Sequence, residues 1–147
     1  MKPYETWLKK AKNDLVSSKK LIKGDDSVLD TSIYHTQQCA EKALKGFLSF
    51  KQYPLEKTHD IDYLIECCME CDIEFETILD YGDILNPYST LFRYPGPVLD
   101  PEIEDVREAI KMAEKIFNFV KKKIEAEEKA QLHDSETAPE VKPNGQK

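Results

Sequence analysis

No stretch of this 147-residue chain approaches the roughly 18 consecutive apolar residues that a membrane-spanning helix needs. The opening Lys2-Pro3-Tyr4 is not the basic-then-apolar start of a secretory signal, so a cytoplasmic protein with no membrane association is expected. Only five glycines are present, and neither Gly24 nor Gly46 follows the strand that a phosphate-cradling loop requires. Ser-His-Asp and HExxH patterns are missing, which removes two hydrolase classes. Apolar alternation of period two is also missing, so no strand is expected, and there is no internal repeat. The four cysteines suit a reducing compartment as free thiols, because Cys67, Cys68 and Cys71 crowd onto what reads as one helix, too rigid for most disulfides. They include a CxxC, but a zinc site wants four ligands. Only Cys39 and three histidines remain to supply them, and there is no second paired motif. No metal and no cofactor is expected.

Positive charge is in deficit as well. A net charge of -7 argues against general coating of nucleic acid, whose non-specific affinity comes mostly from neutralising phosphates. The distribution is lopsided: residues 2–23 hold seven lysines against Glu5 and Asp14, a balance of +5, whereas residues 60–105 hold thirteen acids and one base, a balance of -12. A basic first helix can dock a phosphate chain or an acidic partner; the plainer alternative is solvated helix faces. With 40% hydrophobic and 33% charged residues, the length fits one soluble domain.

What is present is helical periodicity. Tyr4, Leu8, Ala11, Leu15, Ser18 and Ile22 recur at three- and four-residue steps, predicting a first helix over 3–23 that stops at Gly24. A second is expected from Asp30 or Thr31, either able to cap it, to about residue 52, before Tyr53-Pro54. Thr58-His59-Asp60 supplies N-cap residue types for a third helix of about three turns. A fourth is expected over 74–85, with Gly82 as a weak spot. Three prolines and a glycine then make residues 86–97 a loop. A long fifth helix follows Pro101, placed at the first helical position, with the stripe Ile103, Val106, Ile110, Ala113, Phe117, Val120 and Ile124. That stripe packs inside the monomer or against a second subunit. The fold class is all-α: an antiparallel up-down bundle of four to five helices over 1–128, with a disordered polar tail over 129–147.

The second helix carries a polar stripe beside its apolar face. Tyr34, Gln38, Glu41 and Lys45 line the border of the Ile33-Ala40-Leu44-Phe47-Leu48 face, where an unpaired buried polar group costs on the order of 1–3 kcal/mol. Partners are therefore sought elsewhere, and His59 and Arg93 are the two on offer. Arg93, the lone base between Asp60 and Asp105, stands between Phe92 and Tyr94; its planar fork suits phosphate or carboxylate. Its structural alternative is a tie to Glu41 or to another acid. His59 is a general acid–base candidate, or else bonds a backbone group or carboxylate; His35 carries the same two readings with less to support it.

The helix with Gln37-Gln38-x-x-Glu41-Lys42-x-x-Lys45, the segment Lys57-Thr58-His59-Asp60-Ile61, and Arg93-Tyr94-Pro95 ahead of a last alanine-bearing helix together resemble the HEPN domain family (higher eukaryotes and prokaryotes nucleotide-binding), from about Trp7 to Ile124. The resemblance implies a usually dimeric bundle, often encoded beside a minimal nucleotidyltransferase of the MNT type, the two acting as toxin and antitoxin. Toxic members resemble metal-independent ribonucleases that use an arginine followed four to six residues later by a histidine. Here Pro97, Val98 and Leu99 occupy those places after Arg93, and Lys111, Met112 and Ala113 after Arg107. Expected from the resemblance is a homodimeric module that binds a nucleotide or RNA and a nucleotidyltransferase through Gln38, Glu41, Lys42, Lys45, His59, Arg93 and Tyr94. Two alternatives stay open: an endoribonuclease toxin using Arg93 with His59, and a non-catalytic dimeric helical adaptor. The sequence leaves open whether Tyr88 or Tyr94 accepts a modification from the partner.

Overall fold

The computed structural model describes residues 1–137. Five α-helices follow one another: α1 (Pro3–Leu21), α2 (Leu29–Phe50), α3 (Ile61–Cys71), α4 (Leu79–Leu85) and α5 (Ile103–Thr137), with 3-10 turns at Ile73–Ile78 and Asn86–Ser89. No strand occurs among the described residues, so the all-α bundle is the observed architecture. None of these helices is long and apolar enough to cross a membrane.

The apolar face of α2 decides the packing. Ile33, Ala40, Ala43, Leu44 and Phe47 are fully buried, and α2 touches α1, α5 and α3. A helix covered on several sides forms the centre of a bundle. Phe47 packs on Phe75, with ring centroids 4.4 Å apart, and Phe75 meets Phe119 edge-on at 4.9 Å, joining α2, the 3-10 turn and α5. The α5 stripe from Val106 to Ile124 is buried within the monomer, which resolves the choice between an internal and an intersubunit seam.

Helix boundaries depart from expectation in physical ways. α2 starts at Leu29, ahead of the Asp30 and Thr31 caps; Asp30 instead lies in the first turn, accepting the Thr31 N–H at 2.7 Å, where its charge still complements the helix dipole. Residues 73–78 form a 3-10 turn and not the first part of a fourth α-helix. At three residues per turn, Phe75 and Ile78 eclipse each other and both enter the core, while the Asp72 carboxylate accepts the Glu74 N–H at 3.0 Å. Lys123 of α5 clamps this corner through Asp72, at 2.9 Å, and Glu74. Pro101 sits two residues ahead of Ile103, outside the first helical position. α5 continues past residue 128 to Thr137, through the first part of the expected tail; just ahead of that part, Tyr4 to Glu128 and Lys51 to Glu127 at 2.7 Å tie α5 to α1 and to the end of α2. Residues 138–147 of that expected tail lie outside the described residues.

The end of α2 holds a non-glycine residue in left-handed geometry. The Tyr53 N–H reaches the Leu48 carbonyl at 2.9 Å and the Gln52 N–H reaches Ser49 at 3.0 Å, the paired bonds of a Schellman cap. That cap puts Gln52 at φ 58, a left-handed conformation glycine adopts without strain. Gln52→Gly is expected to raise the unfolding free energy by about 0.5–1 kcal/mol in denaturant melts, relief of strain exceeding the added chain entropy.

Candidate functional site

Two of the border residues of α2, Gln38 and Lys45, converge on the buried carboxylate of a third, Glu41. Glu41 is 4% exposed, and its Oε2 accepts the Lys45 ammonium at 3.0 Å one turn along the same helix. Its Oε1 faces His59 Nδ1 at 2.9 Å, with the Gln37 and Gln38 amides at the outer limit of hydrogen bonding, 3.5 Å each. Gln38 donates to Gln37 Oε1 at 2.8 Å, and Gln37 donates to the His59 carbonyl at 3.0 Å, so two glutamines carry the network from α2 to the start of α3. Lys45 is 8% exposed and lies 5.6 Å over the Trp7 ring. The imidazole of His59, by contrast, is 75% exposed.

His59 is delivered by the cap of α3. Asp60 accepts the Tyr63 N–H at 3.2 Å, and Asn86 accepts the Ile61 N–H at 2.8 Å while donating to Asp60 at 3.1 Å. The loop after α4 thereby fixes the backbone that presents the imidazole.

Arg93 does not join this network. It reaches α2 one turn earlier, its guanidinium carbon 3.8 Å from the centre of the Tyr34 ring. Among the described residues it makes no ion pair. The expected meeting of Arg93 with Glu41 is replaced by stacking on an aromatic face, an arrangement that leaves the N–H fork without a carboxylate. The preceding Phe92 sits at φ 69, stacked with Tyr88 at 6.3 Å, and the Arg93 N–H bonds the Thr90 carbonyl at 3.1 Å. A bulky residue in left-handed geometry marks a turn whose shape is set by its surroundings.

Two more expected site residues lie apart. Lys42 bonds Asp14 of α1 at 2.7 Å, and His35 Nδ1 faces the other oxygen of Asp14 at 2.7 Å. Burial pushes the Asp14 carboxyl upward, but the hydrogen bonds from His35 and Lys42 outweigh it and hold the group below the usual carboxylate range. Lys42 is thus neutralised in a separate α1–α2 triad and Lys45 on Glu41, so neither is a free cation for a ligand. Tyr94 is 72% exposed. Sequence reasoning overlooked Tyr34 as the platform for Arg93, though it stands four residues before Gln38 on the same stripe, and overlooked Gln37 as the bridge to His59.

Three of the four thiols, Cys39, Cys67 and Cys68, are buried, and Cys71 is partly so. Burial raises the pKa of Cys39 and of Cys68, which disfavours thiolate chemistry. No group of three or more His, Cys, Asp or Glu side chains among the described residues is arranged to hold a metal ion.

A cleft of about 390 Å³ beside His59 is lined by Asp60, Asp62, Asp83 and Asn86. Gly82 allows α4 to approach α3 here; a Cβ on it would lie 2.7 Å from Asp62 Oδ1. That oxygen is buried without a hydrogen-bond partner. Burial, then the neighbouring Asp83, pushes the Asp62 carboxyl up to about 6. A raised folded-state pKa gives stability that is full below about pH 4 and lost as the pH rises through about 6. Asp62→Asn is therefore expected to stabilise the protein by about 1 kcal/mol near pH 7, solvent screening taking the rest of the shift, and to have no effect near pH 4. Paired melts at the two pH values check this.

The fold is one that known proteins share. A family model for the HEPN domain matches residues 4–124, and the chain belongs to the HEPN domain family. The crystal structure of ST0689, an archaeal HEPN homologue, is 30% identical, superposes with a TM-score of 0.67, and is matched over 84% of this chain and 99% of its own. TT1696 from Thermus thermophilus shares the fold at 24% identity, with a TM-score of 0.72 and the same coverage of both chains. No curated protein matches the chain.

Proposed function

We propose that this HEPN protein is a cytoplasmic, homodimeric binding module that holds a phosphate-bearing ligand, a nucleotide or RNA, through Arg93 and works beside an MNT-type nucleotidyltransferase in a toxin–antitoxin-like pair. One observation carries the reading: the Arg93 guanidinium, stacked on Tyr34, has no ionic partner among the described residues, in a chain of net charge -7. A guanidinium fork left open at a surface suits phosphate oxygens. The absence of a histidine four to six residues beyond Arg93 or Arg107 supports binding without standard ribonuclease chemistry. A short single-stranded RNA incubated with the purified protein under metal chelation tests this. The expected result is retention of the RNA uncut.

A second reading has its own observation. The exposed imidazole of His59 backed by buried Glu41 at 2.9 Å has the form of an oriented general base, as an endoribonuclease using Arg93 with His59 would require. Cleavage that disappears in His59→Ala would favour it over the first.

A further inference from the structure

The lysines of the basic first helix take no part in the site above, yet its C-terminal end borders a second surface feature. A groove of about 600 Å³ runs between the C-terminal end of α1 and the first turns of α5. From the end of α1 and the residues just after it come the half-buried Ile22 with Lys19 and the exposed Lys23; from α5 come the buried Ile110 and the more open Ile103, with the exposed Arg107 and Lys111. Every charged side chain lining the groove is a cation, on a protein whose net charge is -7.

The pairing state of these cations bears on their use. Lys19 is held by Glu114 at 2.6 Å and Arg107 by Glu104, both through exposed pairs that exchange partners at little cost. Lys23 and Lys111 have no ion pair among the described residues. Ile103 is 39% exposed although it opens the stripe whose later members are buried.

The chemistry narrows the occupant. A free phosphate gains nothing from an isoleucine lining, and single-stranded nucleic acid binds on aromatic stacking platforms, of which the lining has none. A second copy has little apolar helix face to offer, because its α5 stripe and the apolar face of α2 are spent in its own core. Ile103 and Ile110 are seven residues apart, about 10 Å or two helical turns, which matches the i, i+3/i+4, i+7 anchors of a helix lying in a groove. We propose that this groove docks an acidic amphipathic helix of a protein partner, its apolar anchors on Ile22, Ile103 and Ile110 and its carboxylates on the four lining cations.

The test uses the full chain and a fluorescein-labelled peptide of about four helical turns, with leucines at helical spacing flanked by glutamates. A scrambled peptide of the same composition is the control, and binding is read by anisotropy. The patterned peptide is expected to bind, and Lys23→Glu/Lys111→Glu to weaken it more than about tenfold. Ile103→Ser, at an exposed position that spares the fold, is expected to weaken it as well, while Arg93→Ala leaves it unchanged, so this reading and the Arg93 reading fail separately. Equal binding of the scrambled peptide, or indifference to the charge reversals, would overturn the proposal. So would displacement of the peptide by a short RNA of matching affinity. Light scattering that shows a dimer lost only in the charge-reversed variant would assign the groove to a second copy and equally end it.

Discussion

Glu41→Gln is expected to lower the unfolding free energy by about 3 kcal/mol, a large share of the 5–15 kcal/mol typical of a domain. The isosteric amide keeps the volume but removes the charge that compensates Lys45, leaving an ammonium 8% exposed beside Trp7 without a counter-ion. For a chain of this size the loss corresponds to a fall in Tm of roughly 10 °C. The companion result is more diagnostic. Replacing both members, Glu41→Gln with Lys45→Met, is expected to restore most of the loss, because removing both charges leaves no buried ion without a counter-ion, whereas breaking the pair does. A single-variant loss below about 1 kcal/mol would mean that the pair is solvated and that Glu41 does not organise the α2–α3 junction.

The second large effect falls on binding and spares stability. Arg93→Ala is expected to weaken phosphate-ligand binding by at least about tenfold, in line with the 1.5–3 kcal/mol of a charge-assisted bond, while changing the unfolding free energy by less than about 0.5 kcal/mol. Arg93 is exposed and its one described side-chain contact is Tyr34, so little of the core depends on it. Arg93→Lys is expected to recover only part of the affinity, since a point charge reproduces neither the planar fork nor the stacking on Tyr34. Equal losses of affinity and stability would assign Arg93 to loop architecture.

Much of this arrangement is legible in the residues. The three- and four-residue recurrence from Ile33 to Leu48 specifies α2, and polar groups bordering that face have to find partners, so the Glu41-Lys45-His59 cluster follows from pattern and desolvation cost together. Other features leave no such trace. Lys42 and Lys45 differ by about 60° around the helix, enough to send one to Asp14 and keep the other on Glu41, and a one-dimensional stripe does not resolve that. Over six residues, Phe75 and Ile78 fit a 3-10 turn as well as an α-helix, because both place positions three apart on one side. The stacking of Arg93 depends on how an irregular loop folds back with Phe92 in left-handed geometry, and loops carry no periodicity from which to read it.

On the proposed function, the guanidinium on Tyr34, and not the filled Glu41 network, meets phosphate. The salt dependence of binding to a short single-stranded RNA tests it most directly, comparing the unaltered chain with Arg93→Ala. One phosphate contact contributes about 0.7 to the slope of log K against log salt for a single strand, and loss of Arg93 should flatten the slope by about that amount. Identical slopes and affinities for the two proteins would contradict the account.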